Sequence, residues 1–105
     1  MYIGELEELI LLAIRQIGED AYGIPVREAV AQAGRNISVG SLYITLDRLE
    51  NKGLVEGRQG EITPERGGKP KRYFRLTGEG ETALRNANIV RTRLRAPLHL
   101  TGGVT

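Results

Sequence analysis

The 105-residue sequence predicts a mostly helical α+β fold, and three observations lead to that prediction. Residues 38–53 have the terminal residues and the apolar stripe of one helix. Two short runs, 54–56 and 71–76, flank a Gly- and Pro-rich segment, which is the pattern of a two-stranded hairpin. A shorter helix comes before residue 38 and is joined to the central helix by a Gly-containing turn. Helix, turn, helix and ribbon in this order make up a winged helix-turn-helix.

The central helix is predicted from its ends and from its two unlike faces. Ser38 is placed to accept a hydrogen bond from the first turn, and Gly53 to take the left-handed conformation that closes the last. At about 100° per residue, one apolar stripe gathers Val39, Leu42, Leu46 and Leu49. The opposite side carries Gly40, Ile44, Asp47 and Arg48, with Ser41 and Thr45 at its edge. A solvated face would more often carry Glu and Lys, so this face is expected to lie against another molecule.

Three further helices are predicted around the central one. The first spans Glu5–Ile17, with apolar residues at three- and four-residue steps and glutamates near its positive end. The second begins near Pro25 and runs to about Ala33. The last has Thr77 as its N-cap and continues past the end of the compact domain. Ile37 is expected to pair briefly with the ribbon as a third, very short strand.

The net charge of +2 hides an asymmetry along the chain. Residues 1–37 carry six acidic side chains against three arginines, whereas residues 38–105 carry twelve lysines and arginines against seven acids. The positive charge therefore lies from the central helix onward, where a polyanion would bind. An ordinary solvated surface can also carry such an excess, so charge alone leaves both interpretations open.

Composition disfavours several functional classes. The chain has no cysteine, which excludes disulfides and thiolate metal sites, and its one histidine, His99, has no second imidazole to join. We therefore expect neither a metal nor a cofactor. The longest apolar run, Leu9 to Ile14, is too short for a bilayer, and the acidic N-terminus lacks the flank of a signal peptide. These features predict a soluble, cytoplasmic protein that does not enter the membrane.

Four segments resemble the PadR family of bacterial transcriptional regulators, in particular its short type with a single C-terminal helix. They are GELEELILLAI, AYGIPVREAV, SVGSLYITLDRLENKGLV and TPERGGKPKRYFRLTGEGETAL, and together they cover roughly residues 4 to 87 in one register. The resemblance implies a winged-helix dimer that binds operator DNA. Such regulators commonly repress genes for phenolic-acid detoxification or for transporters, and often their own gene.

In a helix-turn-helix, the N-terminal residues of the recognition helix meet base edges in the major groove. Ser38 and Ser41 are therefore expected at phosphates or bases, and Thr45 at a hydroxyl or thymine-methyl contact. Arg48 is expected at a guanine edge or a phosphate, while Gly40 leaves room for the sugar-phosphate backbone. Two alternatives remain open: Ser38 as a cap and nothing more, and Tyr43 as a boundary core residue instead of a phosphate ligand.

The ribbon holds the densest positive charge, with four basic residues within seven positions: Arg66, Lys69, Lys71 and Arg72. Glycines beside them permit a close backbone approach, and the charges can neutralise phosphates or enter a minor groove. The alternative is a solvated hairpin. In the second strand, Phe74 and Leu76 share one face, and Tyr73 and Arg75 share the opposite face. Phe74 and Leu76 are expected to pack in the core.

A second copy of the chain is expected to cover the stripe of the C-terminal helix. The predicted dimer residues are Leu6, Leu9, Ile10, Leu84, Ala87, Val90 and Leu94. The chain accordingly divides into a winged-helix DNA-binding domain (1–76), a dimerisation helix (77–98) and a flexible tail (99–105).

The ligand and the competing classes remain as hypotheses. Relatives of this kind either bind an aromatic small molecule near the dimer interface or have no known ligand. This chain has no tryptophan for a flat stacking pocket, so Tyr2 and Ile3 are the only residues that we name as candidates for contacting an effector. A protein-interaction module that docks an acidic partner is the alternative function. An enzyme is the least expected class, because one histidine and solvent-patterned acids assemble no catalytic constellation.

Overall fold

The computed structural model describes residues 2–60 and 70–97 of the chain. Its regular elements in these ranges are, in order, α1 (Glu5–Ile17), a 3₁₀ turn (Gly18–Asp20), α2 (Gly23–Gln32), α3 (Val39–Asn51), β1 (Val55–Gln59), β2 (Arg72–Leu76) and α4 (Gly78–Arg95). The predicted mostly helical fold with a two-stranded ribbon is thereby confirmed. No helix in the described ranges has the length and apolarity needed to cross a bilayer.

Helix α1 runs through the centre of the fold and contacts all three other helices and β2. It begins where Gly4 N–H donates to the Glu7 carboxylate at 2.8 Å, and it ends at Gly18, whose φ of 82° is left-handed. Its inner side chains, Ile10, Leu11 and Ile14, are fully buried. Their burial supplies much of the apolar surface that holds the helices together.

Helix α2 starts at Gly23, two residues before the predicted start. Pro25 consequently lies inside the first turn, where its missing N–H breaks no helical hydrogen bond. The guanidinium Nε of Arg27 donates to the carbonyl of Ile37 at 2.7 Å, which fixes the segment leading into α3.

Helix α3 has the predicted ends. Ser38 Oγ accepts from Ser41 N–H at 3.0 Å, and Gly53 has a φ of 76°. Leu42, Leu46 and Leu49 are buried as predicted, but Val39 is 52% exposed, so the apolar stripe does not begin at the first residue.

The ribbon pairs β1 with β2 in an antiparallel register, with Val55 opposite Leu76 and Gln59 opposite Arg72. Strand β1 is therefore longer than predicted and includes the start of the Gly-rich segment. The predicted pairing of Ile37 is wrong. The short third pairing is instead made by the turn before α2, where Phe74 N–H donates to Ala21 C=O at 2.8 Å.

Helix α4 begins at the predicted cap, because Thr77 Oγ1 accepts from Gly80 N–H at 3.0 Å. The same hydroxyl donates to Gly53 C=O at 2.7 Å and so ties the end of α3 to the start of α4. Ala83 and Leu84 are buried in the core, whereas every described residue after Ala87 is exposed. The second half of α4 therefore lies outside the core.

Candidate nucleic-acid interface

The outward side of α3 presents a line of three residues spaced one helical turn apart. Gly40, Ile44 and Arg48 are all exposed, and they lie opposite the buried leucines of the same helix. A Cβ built on Gly40 would lie 3.9 Å from Ser38 Oγ, an ordinary contact. Packing among the described residues therefore does not require glycine at this position. The line forms a smooth ridge with a single charged side chain at its far end.

The first turn of α3 carries two hydroxyls at the positive end of the helix. Ser38 Oγ and Ser41 Oγ are hydrogen-bonded to each other at 3.0 Å, and both residues are exposed. The cap function of Ser38 is satisfied within the chain. Ser41, in contrast, has an exposed hydroxyl that can still donate to a phosphate at this helix end.

Thr45 does not reach the outward surface that was predicted for it. Its side chain is only 4% exposed, and its hydroxyl donates to Ser41 C=O at 2.7 Å. The hydroxyl is thereby satisfied inside the helix, which makes burial of this polar residue inexpensive. Thr45 is therefore not available for the expected contact with DNA.

Tyr43 lies between α3 and the start of α2. Its hydroxyl sits against Gly23, so closely that a Cβ on Gly23 would overlap it and would lie 2.9 Å from the ring carbon Cζ. The ring is nevertheless 45% exposed. This contact accounts for a glycine at position 23, and it leaves one side of the Tyr43 ring on the outer surface.

The wing comprises residues 57–72 and includes most of the ribbon. At its base, two tyrosines are flanked by two cations. Tyr22 and Tyr73 meet edge to face with their ring centroids 5.5 Å apart. Lys71 Nζ lies 4.4 Å from the Tyr22 centroid, and Arg58 Cζ lies 4.9 Å from the Tyr73 centroid. Lys71 was a predicted DNA ligand. Arg58 was not singled out from the sequence, because the first strand was predicted to end at Glu56, whereas β1 continues to Gln59 and places Arg58 directly opposite Tyr73.

Arg72, another predicted ligand, is engaged within the chain. Its Nη2 lies 2.6 Å from the Glu50 carboxylate of α3, and its guanidinium lies 5.5 Å from the Phe74 ring centroid. Phe74 itself is buried, as predicted. The Arg72–Glu50 pair connects the wing to the recognition helix. The other two predicted wing ligands, Arg66 and Lys69, lie outside the described residues.

Two adjacent glutamates of α1 anchor the other helices. Glu7 binds Lys52 just after α3, with oxygen–nitrogen distances of 2.7 and 2.9 Å. Glu8 binds Arg91 of α4, whose Nε lies 2.8 Å from Glu8 Oε1, and this pairing raises the pKa of the Arg91 guanidinium. Both carboxylates are largely buried, so α1 holds the ends of both helices through directional, charged contacts.

The predicted dimer residues separate into three groups by their exposure in the single chain. Ile10 and Leu84 are buried in the core of the single chain, so they have almost no surface to lose to a partner. Val90 and Leu94 are exposed, Leu94 at 82%. Leu6, Leu9 and Ala87 are half-buried.

The two residues that were predicted to contact an effector differ in exposure. Tyr2 is exposed beside α4, whereas Ile3 belongs to the core.

A helix-turn-helix with a capped, outward-facing third helix and a basic antiparallel wing defines a winged-helix DNA-binding protein. The model of the Transcriptional regulator PadR-like family matches residues 10–86. The chain belongs to this family of DNA-binding transcriptional regulators. No protein with a curated function matches the sequence.

Solved structures of similar proteins agree with this assignment. A PadR-like transcription factor from Bacteroides fragilis is 31% identical with a TM-score of 0.74, and the match covers 85% of this chain and 82% of that one. A PadR family transcriptional regulator from Eggerthella lenta is 32% identical with a TM-score of 0.72, covering 85% and 73%. A PadR family regulator from Clostridium difficile, at 23% identity and a TM-score of 0.74, covers 88% and 92% and shows the shared fold.

Proposed function

We propose that this protein is a repressor that binds a pseudo-palindromic operator as a homodimer, through the helix at 38–52 and the wing at 57–72. The observation that carries the proposal is the contrast between the two sides of α3. Leu42, Leu46 and Leu49 are fully buried, while the opposite ridge of Gly40, Ile44 and Arg48 is exposed. A two-fold dimer would set two such helices about 34–36 Å apart on one side of the duplex.

The contacts in this proposal divide into two classes. Ser41, Lys71 and the wing residues Arg66 and Lys69 neutralise or hydrogen-bond phosphates, which fixes the position of the protein without selecting a sequence. Arg48 reaches a guanine edge and so contributes to the choice of sequence. Arg72 joins the phosphate contacts only where Glu50 releases it. Ser38 serves as the cap, and Tyr43 supports the helix from the side of α2.

The dimer in this proposal uses the second half of α4, which lies outside the core. Val90 and Leu94 would lose apolar surface to the partner, with Leu6, Leu9 and Ala87 at the margin of the contact. Leu94→Asp is expected to shift the protein towards monomer in analytical ultracentrifugation. Arg95→Asp, a neighbouring change on the same helix, is the control that should leave the dimer intact.

The test of DNA binding is selection of bound fragments from the source genome, followed by titration of the selected duplex at several salt concentrations. Arg48→Ala should relax the preference at one base pair per half-site. Lys71→Ala should weaken binding to all duplexes and reduce the salt slope by about one unit per lost contact. A folded, dimeric sample that prefers no duplex over heparin would overturn the proposal.

A further inference from the structure

The side chain of Ile44 occupies the middle of the ridge on α3 and is 61% exposed. At about 100° per residue, it points almost directly away from the buried stripe formed by Leu42, Leu46 and Leu49. Gly40 lies one turn before it and Arg48 one turn after it. Among the described residues of α3, Ile44 is the most exposed large apolar side chain.

Ile44 is a poor choice for a helix surface that faces only water. A β-branched side chain loses rotamer freedom in a helix, and alanine, lysine or glutamate would form the helix better. An isolated exposed aliphatic residue is common on protein surfaces. This one, however, lies between a glycine that the packing does not require and the only arginine of the recognition helix.

We propose that Ile44 is a specificity-determining residue that contacts the 5-methyl group of thymine in the major groove. The inference rests on the proposed function and refines it. An isoleucine can neither donate nor accept a hydrogen bond, so it cannot read the polar edges of the bases. The apolar group that a standard base presents in the major groove is the thymine methyl. Apolar contact there removes both surfaces from water.

The position of Ile44 next to Gly40 makes such a contact sterically reasonable. Glycine adds no side chain to the ridge, so the first half of α3 can lie deep in the groove. Arg48, one turn later, then meets a neighbouring base pair. The selected operator is therefore expected to contain, in each half-site, a thymine adjacent to the guanine that Arg48 contacts.

Replacement of thymine by deoxyuridine in the selected operator tests this inference, because the exchange removes only the methyl group. Each thymine is replaced in turn, symmetrically in both half-sites. For the wild-type protein, one replacement should weaken binding by about fourfold per half-site, the value expected for one buried methyl-sized group. For Ile44→Ala, affinity for the thymine operator should fall, and the same replacement should have no further effect.

Two controls accompany the test. Ile89→Ala removes another exposed isoleucine, on α4, and should retain the full effect of deoxyuridine. Circular dichroism and thermal unfolding should show that Ile44→Ala is folded, because the residue is largely exposed and alanine favours the helix. Ile44→Val should retain most of the discrimination.

The two failures are distinct. Sequence-selective binding that is indifferent to deoxyuridine at every position overturns the role of Ile44 and leaves the regulator assignment intact. The same conclusion holds if Ile44→Ala still shows the full deoxyuridine effect. Absence of any sequence-selective binding by the wild-type dimer overturns the proposed function itself.

Discussion

The ammonium group of Lys52 contacts both oxygens of the Glu7 carboxylate, at 2.7 and 2.9 Å, and so joins the end of the recognition helix to the first turn of α1. Gly4 N–H donates to the same carboxylate at 2.8 Å. The side chain of Glu7 is 7% exposed and that of Lys52 29% exposed. A largely buried carboxylate that accepts three hydrogen bonds from two groups holds α3 at a fixed angle to α1.

Glu7→Gln is expected to lower the free energy of unfolding by about 1.5–3 kcal/mol, the range for hydrogen bonds to charged groups. The amide keeps the shape of the side chain but removes the charge that Lys52 contacts. The matched control is Glu56→Gln, which breaks the exposed pair with Arg75 and should cost less than about 1 kcal/mol. Urea unfolding measures both variants, and equal losses would contradict a special role for Glu7.

The pKa of Glu7 predicts how stability depends on pH. Burial by itself raises this pKa, but the hydrogen bonds from Lys52 and Gly4, with the positive charges of Lys52 and Arg48, outweigh burial and lower it below the ordinary value. The stabilisation is therefore present above the unfolded pKa of about 4.3 and is lost as the pH falls through the lowered folded value. The gap in stability between wild type and Glu7→Gln should be constant from about pH 6 to 8 and should close in acid. A gap that widens in acid would contradict this sign.

Gly40→Ala should separate stability from DNA binding. No strained backbone angle occurs at Gly40, and a Cβ there meets only an ordinary contact. The substitution should therefore stabilise the fold by about 0.5–1 kcal/mol, because alanine is the better helix former. If the bare ridge at Gly40 approaches the sugar-phosphate backbone, the same methyl group should weaken operator binding at least several-fold. Gly78→Ala on α4 is the control that should leave binding unchanged, and unaltered operator affinity for Gly40→Ala would exclude a close approach at this position.

Loss of the Glu50–Arg72 ion pair is expected to raise the affinity of the protein for DNA. Glu50→Gln removes the carboxylate that engages Arg72 at 2.6 Å and also removes a negative charge from the side of α3 next to the wing. Arg72 would then be free to neutralise a phosphate, so affinity should rise and the salt slope should steepen by up to about one unit. The double variant with Arg72→Ala should lose the steeper slope. If Glu50→Gln weakens binding instead, the pair positions the wing and does not compete with DNA.

Sequence pattern determined the order of elements and the caps of α3 and α4, but it could not determine which edge of a stripe is buried. Val39 and Thr45 lie about 60° to either side of Leu42, so helical periodicity treats them alike. Hydropathy favoured burial of Val39. The structure buries Thr45, because its hydroxyl is satisfied by Ser41 C=O within the same helix and carries no penalty for an unpaired group.

Long-range contacts explain the other differences from the sequence-based expectations. Ile37 and the turn at Ala21 are both short extended segments, and sequence alone does not show which one meets β2. Arg27 already donates to Ile37 C=O, whereas Ala21 C=O accepts from Phe74 N–H. Similarly, the stripes of α1 and α4 include Ile10 and Leu84, and only the packing of the two helices shows that these residues fill the core of one chain.

Gly78 and Gly80 lie in the first turn of α4 on either side of Glu79, and the structure predicts opposite effects for their replacement. A Cβ on Gly80 would overlap the carbonyl oxygen of Leu54 and lie 3.2 Å from its carbon, whereas a Cβ on Gly78 would meet nothing within 4 Å among the described residues. Because the obstacle at Gly80 is backbone, it cannot move aside as a flexible side chain could. Gly80→Ala should therefore force α4 away from the end of α3.

We expect Gly80→Ala to lower the free energy of unfolding by about 1–3 kcal/mol, the range for an overpacked interior site. Gly78→Ala should raise it by about 0.4–1 kcal/mol, because it restricts the unfolded chain without strain in the folded one. Thermal and urea unfolding of the two variants, measured side by side, check the prediction. Since both substitutions add the same methyl group to the same helical turn, similar changes in stability would show that α4 does not pack on Leu54 as closely as the structure places it.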